Sequence, residues 1–121
     1  MITIKQLLEV VNINKDGGSM QVEVLDIANN KVGTIDLEGS GDEKMWTIIG
    51  ADIEKEYRGK GYYRQALLQI LDKYPTITIV SAFRSEEANR AWASLKKKAG
   101  DGYRVKIKVI DGEIIYYLTK N

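Results

Sequence analysis

The sequence predicts an α+β domain, and three observations carry that prediction. Apolar and polar residues alternate, as in half-buried strands, over 20–27, 31–38, 103–110 and 113–119. Apolar residues recur at three- and four-residue steps, as on one face of a helix, over 62–74 and 86–98. A continuous apolar run and a short β-branched run lie on either side of the first of these helices. The expected order is helix, hairpin, strand, helix, strand, helix, hairpin.

The elements follow in chain order. Ile4, Leu7, Leu8 and Val11 stand at helical spacing, which predicts a short amphipathic helix over 3–11, ahead of a loop at Asp16, Gly17 and Gly18. "MQVEVLDI" (20–27) and "KVGTIDLE" (31–38) form a predicted hairpin, because Asn29-Asn30 between them tolerates positive φ. "EGSGDEK" (38–44) reads as a flexible loop. "MWTIIGADI" (45–53) suits a central strand covered on both faces. Tyr62, Ala66, Leu67, Ile70, Leu71 and Tyr74 line one stripe of a helix that Pro75 ends. "TITIV" (76–80) is the β-branched strand. Ser85 is the expected N-cap of a second helix with Glu86 and Glu87 in its first turn. That helix carries Ala88, Ala91, Trp92 and Leu95 on one face and closes with Lys96, Lys97, Lys98 and Gly100. "YRVKIKVI" (103–110) and "EIIYYLT" (113–119) are joined by Asp111-Gly112, a strong hairpin signal.

Composition narrows the chemistry. At 121 residues, 44% apolar and 29% charged, the chain is expected to fold as one domain over 1–121. Eighteen basic against seventeen acidic side chains leave a net charge of +1, so recognition of an anion must be local. Without cysteine or histidine there is no thiolate nucleophile, no disulfide, and neither of the commonest zinc ligands. No basic leader followed by a long apolar run is present, and no eighteen apolar residues run together, so the expectation is a cytoplasmic protein.

The stretch "EYRGKGYYRQALLQIL" (56–71) packs Arg58, Gly59, Lys60, Gly61 and Arg64 into the expected turn from the central strand into the helix. Free N–H groups of the first helical turn and the positive end of the helix dipole point at one spot there, which favours phosphate. Glycines let a ligand reach the backbone, and the three cations are spaced to approach an anion from several sides. A diphosphate fits that arrangement. The spacing is neither a nucleotide-hydrolysing P-loop nor a three-glycine dinucleotide turn.

The stretch resembles motif A of the GNAT superfamily of N-acetyltransferases, [QR]-x-x-G-x-[GA]. Arg58 and Gly61 match it, and Tyr63 stands where the family prefers glycine or alanine. "ADIEKEYRGKGYYRQALLQIL" and "ITIVSAFRSEEANRAWASLKK" are similar to the family's strand-turn-helix and to its next strand and helix, so the resemblance covers about residues 45–100. It implies a GNAT-like mixed, mostly antiparallel sheet, splayed between the strands at 45–53 and 76–80 and flanked by helices, with a pantetheine arm in the splay. It also implies acetyl-CoA as co-substrate, no metal, and the cofactor-binding residues Ala51, Ile53, Arg58, Gly59, Lys60, Gly61, Tyr63, Arg64 and Asn89. Asp52 and Glu54 are the candidate bases, working through water, although strand-end carboxylates usually just face water.

Aligned on Asn89 or on Ala91, the helix offers Lys96 or Leu95 where many family members place an acidic tyrosine. Tyr62, Tyr63 or Tyr103 stands in, or the thiolate leaves unaided. There is room for one helix before the hairpin where the family has two. The function expected is transfer of an acetyl group from acetyl-CoA to a primary amine, borne by a small molecule or a protein. The alternatives are a GNAT-like CoA-binding module that works through a protein partner, and a domain gripping single-stranded nucleic acid through Arg58, Lys60 and Arg64 with Tyr62 and Tyr63 stacked on bases. Neither membrane nor nucleic acid is the expected partner, and a homodimer stays open.

Overall fold

The computed structural model describes residues 11–81, 86–98 and 102–121. Strands β1 (Val11–Asp16), β2 (Ser19–Leu25), β3 (Lys31–Gly39), β4 (Met45–Ile53), β5 (Thr78–Val80), β6 (Tyr103–Ile110) and β7 (Glu113–Lys120) form one sheet in the order β1-β2-β3-β4-β5-β7-β6. Helices α1 (Tyr62–Lys73) and α2 (Glu86–Lys98) flank β5 in the chain. The expected Ser85 cap and Gly100 fall outside the described residues, as do residues 3–10 of the helix expected at the start.

One expectation is corrected. Val11 does not end a helix but opens β1, which pairs antiparallel with β2 from Val11↔Val24 to Asp16↔Ser19. Gly17, at φ 58°, turns this hairpin rather than a loop leaving a helix. The later turns form as their residues dictate. Asn29 takes φ 68°, and the Asp26 carboxylate accepts the N–H groups of Ala28 (2.9 Å) and Asn30 (2.8 Å). Those bonds, led by the one from Asn30, hold the Asp26 carboxyl below its ordinary value. Asp111 and Gly112 both lie in the left-handed region, at φ 50° and 80°, so the β6–β7 hairpin closes on two residues.

The register explains the core. Val22 pairs with Ile35, Leu37 with Ile48, Trp46 with Ile79, Ile79 with Leu118 and Leu118 with Val105, and all of these side chains are buried. Directly paired residues share a face, so one continuous apolar face runs across the sheet. Ala66, Leu67, Ile70 and Leu71 of α1, with Trp92 and Leu95 of α2, cover it. The two helices also touch each other. On the other face Glu23, Thr34, Asp36, Thr47 and Tyr117 stay partly exposed. β4, read from its apolar run as covered on both faces, is covered on one.

The sheet opens where the sequence expects it to. β5 runs parallel to β4 for only three pairs, Met45↔Thr78, Trp46↔Ile79 and Thr47↔Val80. β4 then continues on β3 as far as Gly33↔Ile53, after a bulge that leaves Ile49 without a partner between Leu37↔Ile48 and Asp36↔Gly50. A bulge bends its strand, and here it carries the last residues of β4 away from β5. Beyond Val80, Ser81 is tied to β7 instead: its N–H donates to Tyr116 O at 3.0 Å and its Oγ accepts the Tyr116 N–H at 2.9 Å.

Candidate functional site

α1 begins without a conventional cap. Gly61 occupies the N-cap at φ 88°, ψ 5°, no side chain caps the turn, and the first backbone bond of the helix runs from Gln65 N–H to Gly61 O at 2.9 Å. The first-turn N–H groups therefore have no intrahelical acceptor and face outward with the dipole. Gly59 sits at φ 75°, so the approach 58–61 passes twice through backbone that residues with a Cβ rarely adopt. A Cβ on Gly59 would meet nothing within 4 Å, which leaves conformation, not crowding, as the reason for that glycine.

This turn opens into a groove of about 640 Å³. Ala51 and Ile53 from the open end of β4 form its floor, and residues 57–61 with the first turn of α1 form one wall. Ala88, Arg90, Ala91 and Ser94 of α2 form the other. Ala88 and Ala91 were expected to share a buried stripe with Trp92 and Leu95. The stripe divides instead, the large residues entering the core and the alanines leaving width in the groove. Arg58, Lys60, Arg64 and Arg90 line it. In a chain of net charge +1, that is a local concentration of positive charge.

The cations are held in different ways. Arg64 donates to Ser94 Oγ at 3.0 Å and so links the two walls. Lys60 Nζ lies 5.8 Å from the centre of the Tyr57 ring, and Tyr57 meets Tyr62 edge to face at 5.8 Å. The Tyr57 hydroxyl is pushed above its ordinary value, first by desolvation and then by the carboxylates of Asp26, Glu56 and Glu54. Arg58 folds back onto β4: its Nε donates to Ile53 O at 2.7 Å, and one Nη lies 3.6 Å from Asp52 Oδ1.

Tyr63 turns its ring away from the turn. Its hydroxyl accepts the Trp92 Nε1–H at 3.2 Å, and Trp92 stacks on Tyr116 with ring centres 5.5 Å apart. The ring thus belongs to the contact between the helices, and its backbone stays at the helix start. Alternation sends the Asp52 side chain to the opposite side of β4 from Ala51 and Ile53, where it is 81% exposed. Glu54 follows the strand, exposed, with its N–H on Val32 O at 2.8 Å. Asn89 is exposed on α2, beside the groove wall rather than in its lining.

The residues considered for the proton to the thiolate are dispersed. Tyr103 donates to Asp72 Oδ1 at 2.6 Å near the far end of α1, where burial and then that bond push its hydroxyl up to about 12. Leu95 is buried, and Lys96 Nζ reaches Val105 O at 3.4 Å. Tyr62 lines the groove. Sequence reasoning passed over Tyr57, Arg90 and Ser94, and the spacing of Ala88, Ala91 and Ser94 along one helical face was the signal available for the second wall. Among the described residues no group of three or more Asp, Glu, His or Cys is placed to hold a metal ion, and no helix is long and apolar enough to cross a membrane.

The sequence matches no family model, and no curated protein matches it. Solved structures do resemble it. An acetyltransferase from Thermus thermophilus superposes with a TM-score of 0.58 at 16% identity, over 88% of this chain and 66% of that one. A GNAT-family acetyltransferase from Staphylococcus aureus gives 0.56 at 18%, over 86% and 68%. A chimera of Vibrio cholerae spermidine N-acetyltransferase gives 0.56 at 22%, over 87% and 69%. The seven-stranded, mostly antiparallel sheet, opened between β4 and β5 and backed by α1 and α2, is the GNAT N-acetyltransferase fold.

Proposed function

We propose that the protein is an acetyl-CoA-dependent N-acyltransferase that passes an acetyl group to a primary amine. One observation carries the reading: a groove lined by Arg58, Lys60, Arg64 and Arg90 joins an uncapped, glycine-shaped helix start to the end of a central strand that β5 leaves open. The diphosphate takes the N–H groups around Gly59, Lys60, Gly61 and Tyr63, with Lys60 and Arg64 nearby, and the pantetheine amides run along β4 past Ala51 and Ile53. Solved structures of the same fold are acetyltransferases, which supports the class of reaction.

In that reading the amine nitrogen attacks the thioester carbonyl, the N–C bond forms, and the C–S bond breaks. A main-chain N–H in the segment Ala51–Ile53 steadies the developing oxyanion, and holding both reactants in one groove removes the entropic cost of their encounter. The ammonium proton passes through water to Asp52 or Glu54, both exposed at the strand end. The departing thiolate takes its proton from Tyr62 or from water. Asn89, at the rim, and Arg90 complete the pantetheine side. The donor as acetyl-CoA, the acceptor as an amine, and a cytoplasmic setting all belong to this proposal.

A second reading has its own observation. Tyr103 donates its hydroxyl proton to Asp72, and Tyr63 carries its hydroxyl to Trp92, away from the turn, so the step that returns a proton to sulfur has few groups to serve it. A CoA-binding module acting through a protein partner accommodates that. Calorimetric titration with acetyl-CoA tests both, and a dissociation constant weaker than millimolar removes both. Thiol release across a panel of amines then separates them, since binding without release leaves only the module.

A further inference from the structure

We infer that Arg58 is a positioning residue, which fixes the distance between the anion-binding turn and the end of β4, and is not a ligand to phosphate. The inference rests on reading the groove as a CoA site. A thioester at Ala51–Ile53 and a diphosphate at Gly59–Gly61 belong to one molecule, so transfer requires that these two parts of the chain keep a fixed separation. Between them runs a single 3₁₀ turn, Lys55–Tyr57, held by Tyr57 N–H to Glu54 O at 2.8 Å and Arg58 N–H to Lys55 O at 3.3 Å.

So short a turn has poor hydrogen-bond geometry and little intrinsic stiffness. The Arg58 side chain crosses it. Its Nε bonds Ile53 O at 2.7 Å, while one Nη lies 3.6 Å from Asp52 Oδ1. The planar fork bonds the carbonyl and faces the exposed Asp52 carboxylate as an ion pair, and a carbonyl at the strand end gains the donor that β5, already ended at Val80, does not supply. A guanidinium spent in this way is turned toward β4. Lys60 and Arg64 remain as the cations on the phosphate side, and Asp52 acquires a second task as the anchor of the arginine.

Two measurements on the full chain test this. Amide hydrogen exchange on the ligand-free protein should show Glu54, Tyr57 and Arg58 exchanging at least tenfold faster in Arg58→Lys and Arg58→Gln than in the parent, with β1 and β2 unchanged. Calorimetry with CoA should find Arg58→Lys at least tenfold weaker than the parent and within threefold of Arg58→Gln, because a lysine keeps the charge but cannot bond the carbonyl and face the carboxylate at once. Unfolding midpoints within a few degrees of the parent show that the fold is kept. A lysine variant that binds CoA within twofold of the parent, or exchange rates at Glu54 that do not move, would overturn the inference and return Arg58 to the phosphate. If the parent protein takes up no CoA, the functional reading fails, and hydrogen exchange still decides whether the arginine braces the turn.

Discussion

The two ends of α1 are built in opposite ways. At its start, Gly59 and Gly61 hold left-handed backbone, no side chain caps the turn, and Lys60 and Arg64 line a groove. In its last turn, Asp72 stands near the negative end of the dipole, where a carboxylate is unfavourable alone. It is kept there by Lys120 Nζ at 2.6 Å and the Tyr103 hydroxyl at 2.6 Å, both from the distant terminal hairpin. At one end long-range partners close off a charged side chain, while at the other Tyr63 and Arg64 reach α2 and the backbone N–H groups stay uncapped.

That contrast can be broken most forcefully at Gly61. Gly61→Glu places a carboxylate at the anion position and forces a side chain onto φ 88°. CoA affinity should fall at least about a hundredfold, roughly 2.7 kcal/mol, while the unfolding midpoint drops by only about a few degrees. Unchanged affinity in the folded variant would place the ligand elsewhere.

The sealed end should respond in reverse. Asp72→Ala removes the partner of both Lys120 and Tyr103 and should cost about 2 kcal/mol in urea unfolding, with CoA affinity within twofold of the parent. A loss of affinity as large as that of Gly61→Glu would show that the two ends are not independent.

Tyr63 sharpens the comparison, because it stands at the open end and belongs to the closed interior. Tyr63→Phe leaves the Trp92 N–H without its acceptor and should cost about 1 kcal/mol, measured by thermal melting, and leave CoA binding alone. A drop in affinity without a drop in stability would place the hydroxyl in the groove after all.

The smallest effect at neutral pH is expected for Tyr103→Phe, and alkali enlarges it. Folding raises the Tyr103 hydroxyl from an ordinary 10.0 to about 12, so the fold favours the protonated form. The stability this provides is complete below pH 10 and is lost as pH rises toward about 12. Across that window the parent should lose stability more steeply than the variant, as read by urea midpoints at stepped pH. Parallel slopes would count against the buried hydrogen bond.

Much of this was legible in the sequence. β4, α1, α2 and the terminal hairpin lie where apolar period and turn residues place them, since each is specified by its own neighbours. The motif at 58–64 was visible because φ above zero all but requires glycine. β1 was hidden for two reasons. Val11 also completed a helical stripe with Ile4, Leu7 and Leu8, and Asn12 and Asn14, on either side of Ile13, have poor strand propensity. Gly17-Gly18 signalled a turn, but not which element preceded it. Side-chain direction was beyond reach as well: nothing local says that Arg58 turns to Ile53 or Tyr63 to Trp92, since both contacts depend on how distant segments pack.

The three-pair ladder between β4 and β5 also bears on the order of assembly. On one side of it lies a meander of adjacent hairpins, on the other a strand completed by the last hairpin, and closing this junction joins strands that the whole of α1 separates, with only three pairs to hold them. We therefore expect the junction to mature last and to melt first, so that a bound guest spanning it slows unraveling more than it hastens folding. Stopped-flow traces with and without CoA would reveal it: a ligand that accelerates refolding instead would mean the cleft is already formed at the barrier.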